Sequence, residues 1–265
     1  MEVLKIKLYQ NLCNYRKEGS FGYVQTYPLP TPSMIRGMVH DILELTEYNP
    51  MKIGIQGRSD AVVTNIQKVY KFDRKRTIYI CPVCRKEYKD NKKGAQQCHN
   101  VKVAEIIKKE DNRQIVKNIS KALDTGIQFV DLHVNMNLII HVFFENNNDN
   151  LCNQLYQKIQ ERVPVLGRNE DLALIEYLKI IKLQPFSGRN ALSKFPMYVP
   201  KEVLIENVGT RYRLPFWYER VNSFAENRIF HYIEVSYISE NVQLRKDSIL
   251  EDEDKDIVVL LSANR

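Results

Sequence analysis

Apolar and polar residues alternate from the start of the chain. In "MEVLKIKLYQ", Leu4, Ile6 and Leu8 fall on one side of an extended segment and Lys5, Lys7 and Tyr9 on the other, which predicts a strand over residues 3–9. The period changes after "TYPLPTPSMIRGM". Met34, Ile35, Met38, Val39, Ile42 and Leu45 recur at helical spacing, so a helix is expected from Pro32 to Leu45. Thr31 suits its N-cap and Pro32 its first position. Two strand-like stretches follow, at 51–55 and 61–69. Alternation returns in "FVDLHVNMNLIIHVFFEN", where Val130, Leu132, Val134, Met136, Leu138, Ile140 and Val142 make one apolar face. Beyond the turn "NNNDN", Leu151, Leu155 and Ile159 predict a second helix over 151–163, and "LALIEYLKIIKL" reads as a strand.

With residues 71–128 set aside as an insertion, the order is β-α-β-β-α-β, the ferredoxin-like plan of an α+β fold, spanning residues 1–183. Four antiparallel strands would carry both helices on one face. The other face would be free for a ligand, as in RNA-recognition modules. Residues 184–265 are β-rich: "YRLPFWYERV" and "RIFHYIEVSYI" read as further strands, either annexed to the first sheet or forming a small second domain. "EDEDKD" reads as a solvated loop.

Composition narrows the class. The chain has 265 residues, 44% hydrophobic and 27% charged, enough for a sizeable core. No window approaches the apolar run that spans a bilayer, and the N-terminus lacks a signal-peptide block, so a cytoplasmic protein without a membrane partner is expected. The odd count of five cysteines argues against a disulfide scaffold. The isolated Cys13 and Cys152 are expected to be buried free thiols. The net charge of +7 is local: residues 68–121 hold 16 Lys+Arg and 6 Asp+Glu, leaving the rest of the chain at −3. A segment so basic, with Arg74, Lys75 and Arg76 in a run, points to a polyanion.

Three stretches carry candidate chemistry. Before the first helix, Arg16 and Lys17 are interleaved with Tyr15, Phe21, Tyr23 and Tyr27, the mixture of charge and stacking platforms that single-stranded nucleic acid uses. The helix then opens without an acid, so Arg36 and its first amides are candidates to receive phosphate. Gly37 costs helix stability, about 1 kcal/mol against alanine, which either close approach of a ligand backbone or tight seating on the sheet would explain. In "VLGRNED", Gly167 suits a positive φ, and Glu170 and Asp171 can orient Arg168. In "CPVCRKEYKDNKKGAQQCHN", Cys81 and Cys84 have zinc-knuckle spacing. Cys98 and the adjacent His99 would complete a structural zinc site awkwardly, since Val101 stands where a second C-x₂-C would end. Among the histidines, His133 and His141 fall opposite the apolar face and read as sheet-surface residues. His40 is a candidate general base towards an RNA 2′-hydroxyl.

Together these pieces resemble the fifth Cas subunit of CRISPR Cascade complexes, a family of the RAMP superfamily, in its type I-B-like form. The residues that carry the resemblance are "LKIKLYQNLCNYRKEGSFGYVQTYPLPTPSMIRGMVHDIL" and "VPVLGRNEDLALI". The resemblance implies a non-catalytic subunit that holds the five-prime handle of the CRISPR RNA and caps the backbone filament in antiviral defence. It implies contacts with the backbone and large subunits, and with target DNA only indirectly. It makes the insertion a basic thumb. By position it places Tyr15, Arg16, Ser33, Arg36, Gly37, Gly167 and Arg168 near the handle, and the bare helix N-terminus from Thr31 to Arg36 would then seat the RNA's phosphates. One branch of the family instead cuts CRISPR RNA as a metal-independent endoribonuclease with a Tyr-Lys-His arrangement. The available types here are Tyr23, Lys17 and His40.

Overall fold

The structure, a computed structural model, describes residues 1–72, 79–80, 87–88, 104–105, 107–110, 113–116, 123–146, 148–220 and 228–262. The chain divides into two compact units: Met1–Asn65 with Val130–Arg265, and Ile66–Phe129. The first unit opens with strand β1 (Glu2–Cys13), β2 (Tyr23–Val24), helix α1 (Pro32–Leu43) and β3 (Met51–Arg58). Strand β4 (Ala61–Phe72) leads into the second unit. There the short strands are β5 (Tyr79–Ile80), β6 (Glu87–Tyr88), β7 (Ala104–Glu105), β8 (Ile107–Glu110) and β9 (Arg113–Val116), with β6-β5-β7 and β8-β9 as small antiparallel sheets. Strand β10 (Leu123–Phe144) returns to the first unit. It continues through α2 (Asn148–Glu161), β11 (Leu174–Lys182), β12 (Gln184–Pro185), β13 (Met197–Val199), β14 (Thr210–Arg220), β15 (Arg228–Ile238), β16 (Leu250–Glu251) and β17 (Ile257–Val258).

The main sheet has the order β11-β1-β10-β3-β13-β15-β14, with every neighbour along this path antiparallel, and β2 and β4 also pair with β10. Among the described residues it is a mixed α+β fold, mostly antiparallel sheet with two helices. The aromatic strands β14 and β15 extend the first sheet. Alternation sets the register: Leu4, Ile6 and Leu8 pair with Val142, Ile140 and Leu138, which face Ile53, Ile55 and Gly57 on β3. These apolar positions bury against Ile35, Val39 and Ile42 of α1 and Leu155 and Ile159 of α2. Cys13 and Cys152 are buried free thiols, and burial raises them to about 12 and about 11.

Helix α1 ends two residues earlier than the apolar spacing implied. Glu44 turns left-handed at φ 59°, which lets the Leu45 N–H reach the His40 carbonyl at 2.9 Å. Its N-terminus is buried. Thr31 is fully buried and its hydroxyl accepts from the Met34 N–H at 3.4 Å, while Tyr198 clamps Leu29 through both its carbonyl and its N–H.

The second face of the sheet is not free. The polar positions that alternate with the core, Lys5 on β1 and His141 on β10, are directly opposite each other and fully covered. What covers them is the C-terminal segment. Lys5 Nζ lies 2.5, 2.7 and 2.9 Å from carboxylate oxygens of Asp252, Asp254 and Asp256. His141 Nε2 donates to Asp252 Oδ2 at 3.3 Å, and Asp252 Oδ1 accepts the Asp254 and Asp256 N–H groups. "EDEDKD" is therefore a cage around a buried lysine instead of a solvated loop: the charges that the sequence pattern assigned to water satisfy one another. The segment runs on against Gly54, where a Cβ would sit 3.2 Å from the Val259 carbonyl, and pairs Leu261 with Ile53 of β3.

Candidate nucleic-acid interface

The loop from Tyr15 to Tyr27 divides its aromatic and basic residues between core and surface. Tyr15 is fully buried and donates to Gln10 Oε1 at 2.7 Å; Tyr27 is also buried, packed edge-on to Tyr212. Neither offers a stacking face. Phe21 is 86% exposed, and Tyr23, Arg16 and half-buried Lys17 share its surface arm. An apolar ring that exposed gains nothing from the core, so packing does not account for it. The Arg16 guanidinium donates to the Ser20 carbonyl at 2.8 Å, and Lys17 Nζ sits 5.8 Å from the Tyr212 ring. Neither cation has a carboxylate partner among the described residues. The Tyr23 hydroxyl donates to Asp131 Oδ1 at 2.7 Å, which fixes the ring at the head of β2.

The arm rests on the β14–β15 hairpin, where Tyr232 donates to Glu18 at 3.0 Å. That hairpin adds Arg213, exposed on β14 with its guanidinium over the Tyr232 ring; Arg211, two positions earlier, is exposed as well. Sequence reasoning read this stretch only as a strand. The alternation Arg211-Tyr212-Arg213 was the available signal for a basic strand face. Beside the arm, Arg58, Ser59, Asp131, His133, Tyr212 and Tyr237 line a cavity of about 360 Å³.

His133 is buried, not a sheet-surface residue. The Tyr27 carbonyl can only accept, so Nε2, 2.8 Å away, carries the proton, and Nδ1 accepts from the Ser59 hydroxyl at 2.9 Å. Burial lowers its pKa. Its reorientation follows from Asn135, which takes φ 52° and turns β10 so that Val130 and Leu132 pack with Val24 in a separate cluster. The single apolar face expected along the whole strand is thus split in two.

The helix-entry candidates are used inside the fold. Arg36 is buried, donating to the carbonyls of Phe216, Asn49 and Met51 at 3.3, 2.6 and 3.2 Å, with its guanidinium over the rings of Tyr48 and Phe216. It does not present its charge to a phosphate, and with Thr31 buried the first amides are no open anion seat. Ser33 is half-buried with its hydroxyl 3.0 Å from that of Thr31. Gly37 faces solvent, and a Cβ there would meet nothing within 4 Å, so it is not holding the helix close to the sheet.

The glycine loop does join the arm's base. Gly167 has φ 115°, and a Cβ would fall 2.8 Å from the Asn14 carbonyl. Asp171 binds the N–H groups of Asn14 and Arg168 at 2.9 and 2.8 Å and holds the Arg168 guanidinium, which also lies 3.0 Å from Glu170. Arg168 is thus oriented by both acids, with its charge compensated. The alternative catalytic set is not assembled. No hydrogen bond or ionic contact among the described residues joins His40 to Tyr23 or Lys17. Burial, then the Arg36 charge, lowers His40 to about 4. Arg74, Lys75, Arg76, Cys81, Cys84, Cys98 and His99 lie outside the described residues.

Residues 3–215 match the family described as "CRISPR-associated protein (Cas_Cas5)". The chain belongs to the Cas5 family. No curated protein matches it. Among solved structures, a chain of a "CRISPR RNA-guided surveillance complex" aligns over 91% of both chains at 12% identity, with a TM-score of 0.53. A CRISPR protein from Archaeoglobus fulgidus aligns over 99% of this chain and 100% of its own at 11% identity and TM-score 0.43. A chain of the type III-B Cmr-β complex bound to cognate target RNA and AMPPnP aligns over 93% and 86% at 16% identity and TM-score 0.40. The first likeness shows that this Cas5 chain shares its fold with a subunit of an RNA-guided complex. No helix among the described residues is long and apolar enough to cross a membrane.

Proposed function

We propose that this Cas5 chain is a non-catalytic CRISPR RNA-binding subunit of a cytoplasmic effector complex. It holds the five-prime handle of the RNA and caps the backbone filament, beside the large subunit. The observation that carries the reading is the exposed arm: Phe21 bare to solvent, flanked by Arg16, Lys17 and Tyr23, within the residues that match the family. An exposed ring supplies a stacking platform and the two cations meet phosphates, which is the chemistry of single-strand capture. The sheet order β11-β1-β10-β3, with α1 and α2 packed on one face, supports a ferredoxin-like frame, and the basic segment 71–121 fits a thumb that follows the RNA backbone. Cys81 and Cys84, with Cys98 and His99, would hold one structural zinc. Zinc analysis of the purified chain is expected to give one equivalent, lost in Cys81→Ser; metal-free protein would contradict it.

The test of the main reading is affinity for single-stranded repeat RNA. Phe21→Ala is expected to weaken binding about tenfold, taking base–aromatic stacking at 1–3 kcal/mol. Arg16→Ala with Lys17→Ala should weaken it further and flatten its salt dependence. The bound RNA should stay intact in EDTA on a denaturing gel. A discrete product abolished by His40→Ala would establish the endoribonuclease alternative instead. Unchanged affinity in the arm variants would remove the arm from the interface.

A further inference from the structure

A cavity of about 1110 Å³ lies between β15 and the C-terminal segment. Its lining is unusual in one respect: residues 231–235 contribute five consecutive positions. Successive side chains of a strand point to opposite faces, so a cavity that touches five in a row runs along the strand's edge. The pairings explain why. β13 covers β15 only from Ser236 to Ile238, leaving its earlier residues without a neighbour on that side among the described residues. The opposite wall is residues 259–262, and it too is an edge. Leu261 exchanges both of its backbone bonds with Ile53, at 3.0 and 2.9 Å, so the N–H and C=O groups of Leu260 and Ser262 point away from β3. Among the described residues, two open backbone edges thus flank one slot with no strand between them.

The slot is acidic. Glu202, Glu219 and Glu234 line it, no lysine or arginine does, and none of the three has a lysine or arginine partner among the described residues. Arg213, cross-strand from Glu234, lays its guanidinium over the Tyr232 ring instead. In a chain of net charge +7 this is a local reversal of sign. Trp217, stacked at 4.0 Å on His231 and 4.6 Å from Tyr48, gives the slot a fixed aromatic wall. The same carboxylates disfavour a nucleic-acid phosphate.

We propose that this slot takes an extended, lysine- or arginine-bearing segment of a partner protein as an added strand. Main-chain bonds to the two edges would supply affinity and the glutamates would select charge. The inference stands independently of the RNA-binding reading.

The experiment uses fluorescein-labelled peptides of about eight residues, an ordinary strand length, titrated into the full chain and read by anisotropy. The probes are alternating Lys–Val, alternating Glu–Val, and Lys–Val with every second amide N-methylated. The Lys–Val peptide is expected to bind saturably, one per chain, and the other two at least about tenfold more weakly. Glu202→Gln with Glu219→Gln and Glu234→Gln should weaken Lys–Val binding by a similar factor while leaving repeat-RNA affinity unchanged. Failure of the Lys–Val peptide to bind, equal binding of the N-methylated peptide, or no effect of the triple variant would overturn the proposal. Dimerisation of the chain that the peptide competes away would assign the slot to a second copy, and would also overturn it. Should the triple variant not fold, the three peptides on the unaltered chain still decide the question.

Discussion

At the scale of single residues, burial decides which of the chemically suggestive side chains can meet a ligand. Phe21 and Tyr15 lie six positions apart in one loop, yet one is bare and the other is sealed against Gln10 and His133. Arg16, Phe21 and Tyr23 were legible as interface candidates because local composition is enough to mark an exposed arm. Arg36 was not, because what claims its guanidinium includes Phe216, 180 residues away. Burial also sets the acid response. His40 is lowered from 6.5 to about 4, and burial lowers His133 and His141 as well. Groups depressed in this way take up protons more readily in the unfolded chain, so their contribution to stability is complete above pH 6.5 and is lost as pH falls below it. The melting temperature is therefore expected to hold steady from pH 8 to 7 and to fall between pH 6.5 and 4, with a shallower fall in His40→Gln. A flat profile down to pH 4 would contradict the buried, neutral histidines.

At the scale of elements, periodicity located both helices and the strands of the central sheet, because each buries one face and the period records it. The same rule misread the other face. Lys5 and His141 alternate with the core and look like residues for water, but their partner Asp252 arrives 247 positions after the one and 111 after the other. A pattern of period two cannot distinguish a charge facing solvent from one facing a buried carboxylate. The cage has an energetic signature. Lys5, Asp252 and Asp256 form a buried ionic set with the exposed Asp254 at its rim, with Asp252 held well below the usual carboxylate range and Lys5 raised above its own, its hydrogen bonds to the aspartates outweighing desolvation by burial. Removing the lysine alone leaves Asp252 buried without its cation, which typically costs about 3–5 kcal/mol. Lys5→Met is expected to lower unfolding free energy by that order in urea titration, and to increase hydrogen exchange at residues 257–261 before the core. A change below about 0.5 kcal/mol would mean that the cage does not hold the segment.

At the scale of the whole molecule, the C-terminal segment closes one sheet face, and so the candidate RNA surface is not the open sheet that a bare ferredoxin-like plan offers. It is the side built by the Arg16–Tyr23 arm on the β14–β15 hairpin, with Arg213 alongside over Tyr232. The helix entry that first looked like an anion seat is instead part of the core. The measurement that tests this most directly is photo-crosslinking of 4-thiouridine-substituted repeat RNA to the full chain, mapped by mass spectrometry of tryptic peptides. The account predicts a principal crosslink in the peptide spanning residues 18–36, at Phe21 or Tyr23. Crosslinks confined to other parts of the chain, with none in that peptide, would contradict it.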